Sequence, residues 1–139
     1  MEINEILISE EARRSFLIGL VFLSKADGNV DESEKYFFQN AASSLALSDE
    51  STLDLNACWE KKEMPDLSFP DRTSKIFFLR EAIQLSYVSG GFSENERIFI
   101  QETAIHLGIS PSILTAIEEW VIAGMVWKNN GDDLLEMEG

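Results

Sequence analysis

The chain repeats itself. Displaced by 62 positions, LSKADGNVDESEKYFFQNAASSLALS (23–48) falls on LSYVSGGFSENERIFIQETAIHLGIS (85–110), with ten of the 26 paired positions identical. The identities include Leu23/Leu85, Ser24/Ser86, Gly28/Gly90, Glu32/Glu94, Glu34/Glu96, Phe37/Phe99, Gln39/Gln101, Ala42/Ala104, Leu45/Leu107 and Ser48/Ser110. Upstream, Phe16, Leu17 and Val21 face Phe78, Leu79 and Ile83 in the same register. Two stretches with the same local preferences must form the same local elements, so the chain is read as two like halves.

Each half reads as helix, glycine turn, helix, serine turn, helix. Leu17, Leu20 and Val21 in one first helix, and Ile76, Leu79, Ile83 and Tyr87 in the other, recur at helical spacing. The middle helices, about 32–45 and 94–107, open with Asp31-x-x-Glu34 and Ser93-x-x-Glu96, each with the pattern of a capping box. The third helices follow Ser48 and Ser110, with Pro111 at a first helical position where a missing N–H costs nothing. In the first half that helix is placed at about 51–62. KKEMPDLSFPD, holding Pro65 and Pro70, connects the halves, and Asp71 is the expected cap of the next helix. No segment carries the alternating β-branched pattern of a strand. The expected fold is all-α: a single-domain bundle of six or seven helices over 1–128, with halves of about 9–62 and 71–127. An acidic tail, 129–139, follows.

The charge narrows the partners. Eleven basic residues against 25 acidic ones give a net charge of −14, which repels nucleic-acid phosphates and anionic lipid headgroups. The longest apolar run, Phe16 to Leu23, is far short of the ~20 residues that span a bilayer, so no membrane insertion is expected. The one cysteine, Cys58, has no second thiol to pair with, and the first residues are acidic rather than basic, so the cytoplasm is the expected compartment. A protein partner with a basic surface, a cation, or solubility alone remain as uses for the acids.

The first turn, KADGNVDESEKYFF, is the richest in oxygen donors. Asp27, Asn29 and Asp31 alternate like the opening of an EF-hand, yet Glu32 and Phe38 stand where that loop needs its sixth-place glycine and twelfth-place bidentate glutamate. An EF-hand is excluded. A smaller site for a divalent cation such as Ca²⁺ or Mg²⁺, built from Asp27, Asp31, Glu32 and Glu34, stays open beside the structural reading. In that reading Asp31 and Glu34 cap the next helix and suit its positive end, leaving Asp27 and Glu32 as the less explained pair.

SKADGNVDESEKYFF, with LALS after it, resembles the alanine-aspartate-glycine turn and acid-rich helix start of the TerB-like family, named for tellurite-resistance proteins and found also at the front of a membrane-anchored DnaJ-type co-chaperone. SYVSGGFSENERIFIQETAIHLGIS is similar to that family's second, degraded turn, and the resemblance spans about 10–127. It implies a duplicated fold of about seven helices, an acidic surface suspected of binding divalent cations, and a place in bacterial stress-related systems with no established catalysis. Asp27, Asp31 and Glu34 match the acidic positions of the first turn, and Glu94 and Glu96 those of the second. Ser89 and Ser93 depart from acids there, which argues against two equal sites.

Nothing names a catalytic centre. His106 is a lone histidine without a partner base, Cys58 beside Trp59 reads as a buried hydrophobe, and no phosphate-binding glycine loop, HExxH or nucleophile elbow occurs. Trp120 and Trp127 with Met125 are either an exposed partner surface or core, and their helical spacing favours core. The last helix is expected to stop at Asn129 to Gly131, leaving a tail in which Leu134, Leu135 and Met137 are either solvated or a short motif that docks on a partner while its acids steer. The expected function is a non-enzymatic acidic scaffold. It either binds a cation at the 27–34 turn or recognises a basic partner without metal.

Overall fold

The structure, a computed structural model, describes residues 3–28, 30–88 and 91–138. It is all-helical, with no strand among the described residues: α1 Ile3–Ile6, α2 Glu10–Ala26, α3 Glu32–Ser44, α4 Asp49–Ala57, α5 Arg72–Val88, α6 Glu94–His106 and α7 Pro111–Glu136. From α2 to α4 and from α5 to α7 the helices begin at Glu10 and Arg72, Glu32 and Glu94, and Asp49 and Pro111, an offset of 62 each time.

Local chemistry explains those starts and stops. Ser9, Asp31, Ser48, Ser93 and Ser110 lie in extended backbone, and each side chain accepts an amide from the first turn of its helix. Asp71 does the same for α5 through the Ser74 amide at 2.8 Å. α3 and α6 end alike. Leu47 N bonds Ala42 O and Ala46 N bonds Ser43 O, as Ile109 N bonds Ala104 O and Gly108 N bonds Ile105 O. This is the paired-carbonyl closure that needs a left-handed residue just past the helix, here Ala46 (φ 55°) and Gly108 (φ 73°). Gly28 likewise takes φ 77° after α2, while Asn29, Ser89 and Gly90 lie outside the described residues.

α2 and α5 form the centre. α2 packs on α3, α4, α5 and α6, and α5 on α1, α2, α6 and α7. Leu17, Val21, Leu23, Phe78, Leu79 and Ile83 are buried there. Their crossing is close at Gly19, where a Cβ would stand 2.5 Å from Phe78 Cζ and 3.2 Å from Leu67 Cδ1. The connector supplies core as well as span: Phe69 is buried and stacks on Phe78 at 5.6 Å, and Ser68 N donates to Ser15 Oγ at 2.9 Å.

Four expectations are corrected. The third helix of the first half runs 49–57, with turn from 58 to 60, not 51–62. At Asp31 the box is half made: Asp31 Oδ1 accepts the Glu34 amide, but of the two only Ser93–Glu96 is reciprocal among the described residues, because Glu34 turns to a cleft instead. α7 does not stop at 129–131. A glycine inside a helix costs about 1 kcal/mol, too little to end one that is continuous on both sides and carries the Lys128–Asp132 pair across the weak point. Trp120 and Trp127 are not core. They are 54% and 80% exposed: Trp120 lies off the face that buries Ile117 and Val121, with Arg80 over its ring at 5.1 Å, and Trp127 lies past Met125, beyond which every residue from 126 to 138 is exposed.

Candidate functional site

The turns after α2 and after α5 meet. Ser93 Oγ donates to Asp27 Oδ1 at 2.6 Å and also accepts the Glu96 amide at 3.2 Å, while Glu96 Oε1 accepts the Ser93 amide at 3.1 Å. Beside this chain of bonds lies a cleft of about 370 Å³ walled by Asp27, Glu34 and Glu96, with Leu23, Leu85 and Phe37 as apolar lining. Two of the identical pairs at offset 62, Leu23/Leu85 and Glu34/Glu96, therefore line one cleft. Glu96 is buried and Phe37 is 58% exposed.

The carboxylates differ in surroundings. Burial, then the charges of Asp31 and Asp27, raise the Glu34 pKa above the ordinary glutamate value. The Ser33 hydroxyl and the Glu34 amide lower that of Asp31. Asp31 Oδ1 is held at 2.7 Å by Ser33 and 2.9 Å by Glu34 N, at the mouth of α3. Glu32 projects outward with its side chain 93% exposed, 3.8 Å from Lys35. Of the four carboxylates singled out in the sequence, Asp27 and Glu34 line the cleft; Asp31 acts on Glu34 through its charge but is bonded at the α3 N-terminus outside the lining, and Glu32 faces Lys35. Among the described residues no group of three or more His, Cys, Asp or Glu side chains is placed to hold a metal ion.

In the sequence Glu96 stands out as a cap and an acidic position of the second turn, and Phe37 only as a member of the identical pair Phe37/Phe99. The signal in the sequence is the identity of Leu23 with Leu85 and of Glu34 with Glu96 at an offset of 62, for all four line the cleft. Cys58 is buried, its Sγ 3.3 Å from Asp54 O, and burial raises its pKa, so the thiolate is disfavoured. His106 is exposed on α6. Leu134, Leu135 and Met137 are exposed at the far end of α7. No helix among the described residues is long and apolar enough to cross a membrane.

Compared with protein-family models, curated proteins and solved structures, the chain matches none.

Proposed function

We propose that this chain is a TerB-like interaction domain without catalysis of its own, built from two copies of a three-helix unit. It binds a basic segment of a partner protein by taking a lysine or arginine side chain into the cleft between the Asp27 and Ser93 turns. The observation that carries this reading is that carboxylates from both halves, Asp27, Glu34 and Glu96, wall one cleft with apolar and aromatic lining. Such a site suits a long side chain with an apolar stem and a charged head. The like-charge repulsion that Asp31 and Asp27 impose on Glu34 is relieved when a cation enters. The stress-related setting follows from the resemblance.

A divalent cation is the competing occupant. Asp31 is engaged at the α3 N-terminus and Glu32 faces Lys35, and this favours the metal-independent reading. NMR titration separates the two. A short Lys/Arg peptide should shift the amides around Asp27, Glu34 and Glu96 in a salt-sensitive way, and Asp27→Asn with Glu34→Gln should abolish the shift. Ca²⁺ or Mg²⁺ producing those shifts while the peptide does not would overturn the reading in favour of a cation site.

A further inference from the structure

We infer that the projecting half of α7 is a docking helix for a basic amphipathic helix of a partner protein, separately from the cleft. Trp120, Trp127 and Leu134 stand seven residues apart, with Ala123 between the first two, so at 100° per residue they form one seam along α7. They are 54%, 80% and 67% exposed. The seam is no part of the body's own core. The buried residues of α7 are Ile117 and Val121, about a quarter-turn away, and from Val126 onward the helix extends about 16 Å with every residue exposed. Gly124 and Gly131 lie beside the seam, and a Cβ built at either meets nothing within 4 Å, leaving notches next to the indoles for a partner's side chains.

Charge selects the occupant. At 100° per residue Glu119 and Asp133 border the seam on one side, Gly124 and Gly131 on the other, and Asp132 and Glu136 lie on the far face; the helix's one base here, Lys128, is held by Asp132 at 3.3 Å, and Arg80 of α5 stands 5.1 Å from the Trp120 ring at the seam's inner end. An antiparallel second copy would set Asp133 near Glu119 of its mate, and a parallel one would set no base opposite either acid. Either arrangement leaves these acids without an opposing base along the apolar contact. Lysines and arginines flanking an aliphatic seam complement both the apolar line and its acidic border.

The test uses the full chain and a synthetic helix of about 20 residues, three heptads of leucine bordered by lysine, with a glutamate-bordered version as control. Tryptophan emission should shift to the blue saturably with the lysine helix and stay unchanged with the glutamate one. Trp127→Ala with Leu134→Ala should weaken binding at least about tenfold, with far-UV circular dichroism and melting temperature showing an intact body. Binding should persist in Asp27→Asn with Glu34→Gln, which keeps its outcome distinct from that of the cleft. Equal affinity in the Trp127/Leu134 variant, or no binding, would overturn the proposal. So would a dimer in sedimentation that this variant loses, or a blue shift with phosphatidylcholine vesicles in place of the peptide.

Discussion

The Ser93 hydroxyl donates to Asp27 at 2.6 Å across 66 residues of sequence, and the same oxygen accepts the amide that starts α6. One side chain therefore closes a helix terminus and ties the two turns together. Ser93→Ala should cost about 1–2 kcal/mol, the usual cost of a lost N-cap. Ser93→Ala and Asp27→Ala should be non-additive in urea unfolding. Additive losses would mean that the bond across the turns contributes nothing.

Glu34 makes a pH prediction of unusual sign for a glutamate. Its folded pKa is raised, so the folded state holds the proton more tightly, and stability is lost as pH rises from the ordinary glutamate pKa through the raised one. Glu34→Gln should stabilise the protein at neutral pH, by about a few tenths of a kcal/mol for so solvated a group. The gain should vanish in acid. Destabilisation at neutral pH, read from chemical unfolding at several pH values, would contradict this account.

Between α6 and α7 Arg97 grips Glu118 through two bonds, Nη2 to Oε1 at 2.9 Å and Nη1 to Oε2 at 3.0 Å, and Tyr87 Oη donates to Glu118 Oε1 at 2.8 Å. The Arg97 bonds come first in lowering the Glu118 pKa, so this contribution is present above the ordinary glutamate pKa and lost as pH falls through the lowered one. Glu118→Gln should lose about 1 kcal/mol at neutral pH and nothing in strong acid. Arg97→Lys, unable to form the fork, should lose nearly as much.

Small residues divide by place. Gly19→Ala forces a methyl into the Phe78 ring and should destabilise by about 1–3 kcal/mol. Gly131→Ala meets open space inside a helix and should stabilise that segment by about 0.5–1 kcal/mol. Ala46→Gly, at φ 55°, should gain stability as well, for it gives the end of α3 the residue that ends α6. Thermal unfolding of the three variants gives the order directly.

The capped helix starts could be read from the chain because they depend on hydrogen bonds within four or five residues, while the ends of α4 and α7 fell elsewhere than expected. Asp31, Ser48, Ser93, Ser110 and Asp71 cap as their sequence neighbourhoods demand, and the all-helical class follows from the apolar spacing. Helical spacing also puts Trp120 and Trp127 on one side of α7 but does not say whether anything lies opposite. That depended on the packing of α7 on α5 and α6, which buries Ile117 and Val121, leaves Trp120 off the packed face and stops at Met125, before Trp127. The fates of the acids were likewise decided at long range. Asp31 and Glu34 share one turn, yet Asp31 is fixed by the Ser33 hydroxyl and the Glu34 amide while Glu34 and Asp27 face a cleft completed by Glu96 of α6, because a carboxylate's field and solvation depend on neighbours the local chain does not contain.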